Sequence, residues 1–132
     1  MRLIDQTRLP GEMVHLACRD VETLFEAIRS LRVRGAPAIG VAAAYGVCIA
    51  AQVDGSPSAV LGNVHAAIER LAESRPTAMN LFWALERMRG VAKEANGSSI
   101  AELKQRLLAE ARTIHDEDRR TCREIGRLGA SL

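Results

Sequence analysis

PAIGVAAAYGVCIAA, residues 37–51, is the stretch that decides the fold of this chain. It holds no charged residue, and Pro37 suits the first turn of a helix, where the N–H that proline lacks would have no partner. A helix that is apolar on every side is a buried helix. Its glycines and alanines let neighbouring helices approach closely. Residues 37–51 therefore predict a central helix around which the other elements pack.

Amphipathic helices are predicted on both sides of this central one. Asp20 is a good N-cap for the first of them. The last opens with the capping-box spacing of Ser99 and Glu102, and Asn96-Gly97 predicts a left-handed stop just before it. The apolar stripes at helical spacing cover residues 21–31, 60–73, 81–92 and 100–128.

The chain opens with a predicted β-hairpin. Residues 2–7 and 13–18 alternate in polarity, with Leu3, Val14, Leu16 and Cys18 on the expected buried face. Between them, Leu9-Pro10-Gly11-Glu12 is typical of a turn. A lone hairpin is only marginally stable, so it must pack on the helices. The predicted fold class is α+β, mainly α, with a short amino-terminal hairpin on about five helices.

Composition narrows the function classes. A length of 132 residues suits one domain, and a net charge of +2 from 18 basic and 16 acidic residues argues against a nucleic-acid binder. The longest apolar stretch, residues 36–51, is too short to cross a bilayer, and no signal peptide is expected because polar residues follow the start. Three widely separated cysteines predict reduced thiols in a cytoplasmic protein.

The residues before the central helix have the chemistry of an anion site. The first N–H groups of a helix lack partners and carry the positive end of its dipole, which favours a phosphate. Gly35 permits close backbone approach, and Arg34 offers a bidentate guanidinium contact. On residue chemistry alone, an ordinary corner between helices with a solvated arginine explains the same pattern.

A second cation precedes another predicted helix. Arg75 lies before that helix start, with Thr77 as its candidate cap, and is either a second ligand for the same anion or a surface arginine. No metal site is expected at His115-Asp116-Glu117-Asp118, because successive helical residues point in different directions. None of the cysteines has a basic neighbour that would make it a nucleophile.

Four segments resemble methylthioribose-1-phosphate isomerases, enzymes of methionine salvage whose family is related to regulatory subunits of translation initiation factor 2B. They cover nearly the whole chain, and their combination is more specific than any one of them. The segments are RGAPAIG with VAAAYG (34–46), LIDQT with LPGE (3–12), RPTAMNLFWAL (75–85) and IG with GA (125–130).

The resemblance implies an aldose–ketose isomerase that converts 5-methylthioribose 1-phosphate to 5-methylthioribulose 1-phosphate. It maps the sugar-phosphate contacts onto Arg34, Gly35, Ala36 and Arg75. It implies that residues 1–132 are the amino-terminal domain and that the chain is cut short at Leu132, before a carboxy-terminal α/β domain with the catalytic cysteine and aspartate. No catalytic residue is therefore expected in this chain.

The resemblance further implies no metal or organic cofactor, no nucleic-acid or membrane partner, and a cytoplasmic enzyme that is a homodimer when full-length. Two alternatives stay open. One is a ribose-1,5-bisphosphate isomerase, and the other is a non-enzymatic regulatory subunit of initiation factor 2B.

Overall fold

The computed structural model describes residues 1–132 and contains five α-helices and one two-stranded sheet. The predicted class, mainly α with an amino-terminal hairpin, is confirmed. A 3-10 turn at Gln6–Arg8 follows the first strand. The elements are β1 (Arg2–Ile4), β2 (His15–Ala17), α1 (Val21–Arg29), α2 (Ala36–Ala50), α3 (Pro57–Ala72), α4 (Met79–Glu94) and α5 (Ile100–Gly129).

Helix α2 is the centre of the molecule, as its uncharged sequence predicts. It packs against each of the other four helices. Two glycines allow this contact. A Cβ at Gly40 would lie 2.7 Å from the backbone oxygen of Asn80, and one at Gly46 would collide with the side chain of Leu24. The residue type at these positions therefore sets how closely α2 approaches α4 and α1.

Three of the helices begin with a side-chain cap. Asp20 accepts a hydrogen bond from the Thr23 N–H at 2.7 Å, while Ser56 and Ser99 each accept one at 3.2 Å from the backbone three residues on. The caps at Asp20 and Ser99 were predicted. Only half of the capping box forms, because the Glu102 carboxylate pairs with Arg106 at 2.9 Å instead of turning back.

Helices α2 and α4 have no side-chain cap. Helix α2 begins at Ala36, one residue before the proline expected to open it. The prediction that Thr77 caps α4 is wrong, because the N-cap position belongs to Ala78, which has no oxygen in its side chain. The predicted left-handed stop is confirmed, since Gly97 has a φ of 89°.

The hairpin is shorter than its sequence pattern suggests. Leu3 pairs with Leu16 across the strands, and Cys18 is buried as expected, whereas Val14 is 39% exposed and does not belong to the buried face. The first strand ends at Ile4 because the Asp5 side chain starts the 3-10 turn.

Helix α5 has two unlike halves. Its buried residues end at Ile114, and residues 119–132 are exposed, including Ile125 at 66% and Leu128 at 56%. The apolar stripe predicted through Leu128 continues in sequence, but nothing in this chain covers its end. No helix in the structure combines the length and the apolar character that a membrane crossing requires.

Candidate anion-binding site

The start of α2 offers free backbone donors. Gly35 is its N-cap, and its φ of 96° is one that side-chain-bearing residues rarely adopt. The first bond into the helix runs from the Ile39 N–H to the Gly35 carbonyl at 3.0 Å, and Pro37 has no N–H. The N–H groups of Ala36 and Ala38 therefore have no acceptor within the helix and open outward at the positive end of the dipole.

Arg34 immediately precedes the N-cap residue Gly35. Its guanidinium donates to the backbone carbonyl of Gln6, and the Gln6 side-chain amide donates back to the Arg34 carbonyl at 3.1 Å. Arg34 is exposed and has no acidic partner. Its guanidinium is thus held in place by a neutral group, and its remaining N–H groups are free to bind an anion.

Asp5 fixes the 3-10 turn against this loop. The buried carboxylate accepts hydrogen bonds from the Thr7 N–H at 3.0 Å, from the Thr7 hydroxyl at 2.5 Å and from the Arg32 guanidinium at 3.1 Å. The Thr7 hydroxyl contributes most to holding the pKa of Asp5 below its usual value, and the charge of Arg32 adds to the effect. The Gln6 N–H also donates to the Arg32 carbonyl at 2.9 Å.

Asp5 and Gln6 belong to the LIDQT segment of the sequence, whose pattern predicts no role for them at the site. In the structure they position the loop that carries Arg34. The sequence did hold a signal, because an Asp followed two residues later by Thr favours a local turn closed by the Asp side chain.

The second predicted cation lies before α4. Arg75 is half-buried in the turn after α3, and its carbonyl accepts the Ala78 N–H at 3.0 Å. The N–H groups of Leu81 and Phe82 donate to the Ala78 carbonyl at 3.0 and 3.3 Å. Those of Met79 and Asn80 precede the first helical bonds and have no side-chain cap.

The two helices with uncapped starts pack against each other. Gly40, in the second turn of α2, closely approaches the Asn80 carbonyl in the first turn of α4, and Pro37 and Asn80 line the same cleft. Neither Arg34 nor Arg75 takes part in any ion pair of the chain. A cleft of about 320 Å³ separates these turns from α5, and its walls include Pro37 and Trp83.

The acidic segment of α5 faces this cleft, and Glu117 and Asp118 line it. The Tyr45 hydroxyl and His115 Nδ1 are 3.2 Å apart, and Glu117 pairs with Arg87, whose hydrogen bonds hold the pKa of that carboxyl below its usual value. No group of three or more His, Cys, Asp or Glu side chains is arranged to hold a metal ion. Burial raises the pKa of the Cys48 thiol to about 12, which leaves it unreactive at neutral pH.

Comparison with known proteins agrees with this fold. Residues 32–132 match the family model described as the initiation factor 2 subunit family. The methylthioribose-1-phosphate isomerase of Rhodopirellula baltica is 50% identical over 98% of this chain. The 5-deoxyribose 1-phosphate isomerase of Moorella thermoacetica is 47% identical over 100% of it. The chain spans only 37% and 38% of the lengths of these two relatives.

Two solved structures are similar as well. The 5-methylthioribose 1-phosphate isomerase of Pyrococcus horikoshii superposes with a TM-score of 0.84 at 38% identity, over 88% of this chain and 33% of that one. Subunit delta of the translation initiation factor eIF-2B from A. fulgidus superposes with a TM-score of 0.83 at 41% identity. The match covers 89% of this chain and 34% of that one.

Proposed function

Because the chain belongs to the initiation factor 2 subunit family, we propose that it is the phosphate-binding amino-terminal domain of a sugar-phosphate isomerase of that family. The reaction is the conversion of 5-methylthioribose 1-phosphate to 5-methylthioribulose 1-phosphate. Isomerases of this kind that match nearly the whole chain at 47–50% identity support the assignment.

One observation carries the phosphate-binding role. The two helices without a side-chain cap are adjacent, and each follows an arginine that has no acidic partner. Backbone N–H groups at a helix start and a nearby guanidinium are the donors that proteins use for phosphate. Arg34, Gly35 and Ala36 form the first half of the proposed site, and Arg75 belongs to the second.

The names of the two relatives define a substrate class. Methylthioribose 1-phosphate and 5-deoxyribose 1-phosphate both carry a phosphate on C1, and both lack the hydroxyl that ribose has on C5. We infer that the substrate of this protein likewise has a charged end at C1 and an apolar end at C5.

The chemistry needs more than this domain. A phosphate on C1 keeps the sugar in its ring form, so the enzyme must open the ring and move hydrogen from C2 to C1. No acid–base pair stands beside Arg34, whose own partner is a backbone carbonyl. We propose that the groups for this chemistry lie outside residues 1–132, and that this domain holds the phosphate and shields it from water.

The full-length enzyme is proposed to be cytoplasmic, free of metal and organic cofactors, and a homodimer. The exposed apolar side chains Ile125 and Leu128 on the projecting half of α5 support a further covering surface. Light scattering and a hydrophobic dye test this. We expect the isolated chain to self-associate or to bind the dye, and a monomer that binds no dye would contradict the expectation.

A second candidate is a regulatory subunit of the initiation factor 2B type. It is favoured by the similarity to subunit delta of that factor, at 41% identity and a TM-score of 0.83. A ribose-1,5-bisphosphate isomerase remains a further alternative within the enzymes. The candidates differ in what they bind, since only the salvage isomerase should prefer a sugar 1-phosphate with an apolar C5 end.

Calorimetric titration of the purified 132-residue chain with methylthioribose 1-phosphate tests the proposal. We expect binding without turnover, measured as the absence of ketose product. Formation of product by homogeneous chain would overturn the view that the catalytic groups lie elsewhere. A folded chain that binds no sugar phosphate would instead favour the regulatory subunit.

A further inference from the structure

Two carboxylates face the cleft beside the proposed phosphate site. Glu117 and Asp118, on α5, line it together with Pro37 at the start of α2 and Asn80 at the start of α4. Carboxyl side chains are ionised at neutral pH, so each of the two repels an anion that binds there. A phosphate site with acidic walls therefore needs a group that offsets their charge.

Arg87, on α4, is that group for Glu117. Its Nη1 and Nη2 donate to the two oxygens of Glu117 at 2.5 and 3.3 Å, and its Nε donates to Glu110 at 2.5 Å. Glu110 and Glu117 are seven residues apart and so lie on one face of α5. Asp118 takes part in no ion pair of the chain. Only one of the two carboxylates in the cleft is thus paired with a cation.

The Arg87 guanidinium is partly shielded from water and contacts a second wall of the cleft. Its side chain is 25% exposed, and its central carbon lies 4.8 Å from the centre of the Trp83 ring, which lines the cleft. A charge pair that is partly shielded from water interacts more strongly than one on the open surface. Arg87 itself does not line the cleft, so it acts on a ligand through Glu117 and Trp83, which do.

We infer that Arg87 is a positioning residue of the phosphate site, which neutralises Glu117 so that an anion can occupy the cleft beside the starts of α2 and α4. This inference rests on the proposed function. Without the guanidinium, the Glu117 carboxylate faces the phosphate uncompensated and repels it. The charge of Arg87 therefore contributes to binding, whereas its bridge between α4 and α5 contributes to stability.

Two substitutions separate the charge of Arg87 from its geometry. Arg87→Lys keeps the positive charge but loses the bidentate contact and the planar group beside Trp83. Arg87→Gln removes the charge. Arg89 provides the matched control on the same helix, because it bridges to Glu69 on α3 at 2.8 Å and pairs with Glu86 at 3.0 Å, and neither partner lines the cleft. Thermal melting checks that all variants remain folded.

NMR titration of the 132-residue chain with methylthioribose 1-phosphate tests the inference. At an ionic strength of about 0.1 M, Arg87→Gln should bind roughly threefold to tenfold more weakly, the effect of one uncompensated charge near a protein surface. That loss should shrink at about 1 M salt, where the screening length is about 3 Å. Arg87→Lys should retain most of the affinity because it keeps the charge. Arg89→Gln should bind as the unchanged chain does.

A double variant distinguishes the electrostatic role from a structural one. Arg87→Gln combined with Glu117→Gln lacks the ion pairs between α4 and α5, but it also lacks the carboxylate that Arg87 neutralises. We expect this double variant to bind the sugar phosphate at least as tightly as the unchanged chain. A purely structural role for Arg87 predicts binding as weak as that of Arg87→Gln. Asp118→Asn should bind more tightly than the unchanged chain, because it removes the unpaired carboxylate from the same cleft.

The outcomes separate this inference from the proposed function. If Arg87→Gln binds as the unchanged chain does, or if Arg87→Lys or the double variant is as weak as Arg87→Gln, the role assigned to Arg87 is wrong and the phosphate site stands. Unchanged binding by Asp118→Asn would likewise contradict repulsion by the carboxylates of this cleft. If the folded, unchanged chain binds no sugar phosphate, the proposed function fails and the role of Arg87 fails with it.

Discussion

The helix starts of this domain fall into two groups. Helices α1, α3 and α5 begin at Asp20, Ser56 and Ser99, whose side chains satisfy a backbone N–H of the first turn. Helices α2 and α4 begin at Gly35 and Ala78, which have no side-chain oxygen. The two helices with uncapped starts pack against each other, and we propose that their free donors bind a ligand.

The difference has a cost in stability. Alanine in place of Ser, Asp or Asn at an N-cap typically costs about 1 kcal/mol. Glycine in place of such a residue costs only a few tenths of a kcal/mol, so the cost falls mainly on α4, whose N-cap is Ala78, and little on α2, whose N-cap is Gly35.

The largest expected effect is the loss of the Arg34 guanidinium. Arg34→Ala should weaken sugar-phosphate binding by about 1.5–3 kcal/mol, the range for a hydrogen bond to a charged group. Arg34→Lys should recover only part of this, because an ammonium cannot make the bidentate contact. Calorimetric titration of the folded variants measures both, in this chain or in a full-length parent.

Arg29 provides the control for this prediction. It is exposed at the end of α1, and its guanidinium lies 6.0 Å from the ring of Phe25. Arg29→Ala should bind the sugar phosphate as the unchanged chain does. Unchanged binding by Arg34→Ala would show that Arg34 is an ordinary corner residue.

The next largest expected effect is that of Gly40→Ala, which should force α2 and α4 apart. Gly40→Ala places a methyl group 2.7 Å from a backbone oxygen of α4, so the helices must move apart. Overpacking of this kind costs about 1–3 kcal/mol, and chemical denaturation should show that loss together with weaker phosphate binding. Gly90→Ala is the matched control, because a Cβ there meets nothing within 4 Å. Full stability of Gly40→Ala would contradict the close contact.

Adding a side-chain cap to α4 should stabilise the fold and weaken phosphate binding. The backbone of Ala78 is extended, with φ of −83° and ψ of 94°, so Ala78→Ser can cap α4. We expect a gain of about 1 kcal/mol in the free energy of unfolding and weaker phosphate binding, because the serine hydroxyl takes a donor from the site. The reverse change, Ser99→Ala, should lose about 1 kcal/mol and leave binding unaltered. Stronger binding by Ala78→Ser would be inconsistent with a site at this helix start.

The smallest effect concerns pH. The pKa of Asp5 is lower in the folded chain than in the unfolded one, so its contribution to stability is present above the unfolded pKa, about 3.9. That contribution is lost as the pH falls through the lower, folded pKa. Denaturation measured between pH 6 and acid conditions should show a shallower loss for Asp5→Asn than for the unchanged chain. Identical pH profiles would mean that Asp5 does not anchor the turn.

Local patterns in the sequence were sufficient for most of the fold. The uncharged run at residues 37–51 predicted the buried helix, and Asp20 and Ser99 predicted two of the caps, because each depends on neighbours in the chain. The spacing of apolar residues in α5 predicts one continuous stripe through Leu128, but the buried residues end at Ile114. Burial depends on which other element packs against the stripe, and the periodicity of one helix does not contain that information.

In the candidate site, too, the local features were predictable from the sequence and the long-range contacts were not. Arg34 and Gly35 stand out locally, since an arginine, a glycine and a helix start are adjacent. The hydrogen bonds from Arg32 to Asp5 and from Arg34 to Gln6 join residues that are 27 and 28 positions apart in the chain. The periodicity of the sequence does not predict such contacts. Thr77 was expected to cap α4 because its hydroxyl suits that role, yet the chain turns so that Ala78 takes the position.

The central claim is that the uncapped starts of α2 and α4 together bind the phosphate of a sugar 1-phosphate. An amide NMR titration of the chain with methylthioribose 1-phosphate tests it most directly. The account predicts that the largest shifts occur at the N–H groups of Ala36, Ala38, Met79 and Asn80. It also predicts that the capped starts of α1, α3 and α5 stay unchanged. Shifts centred on a capped helix start, or none at α2, would contradict it.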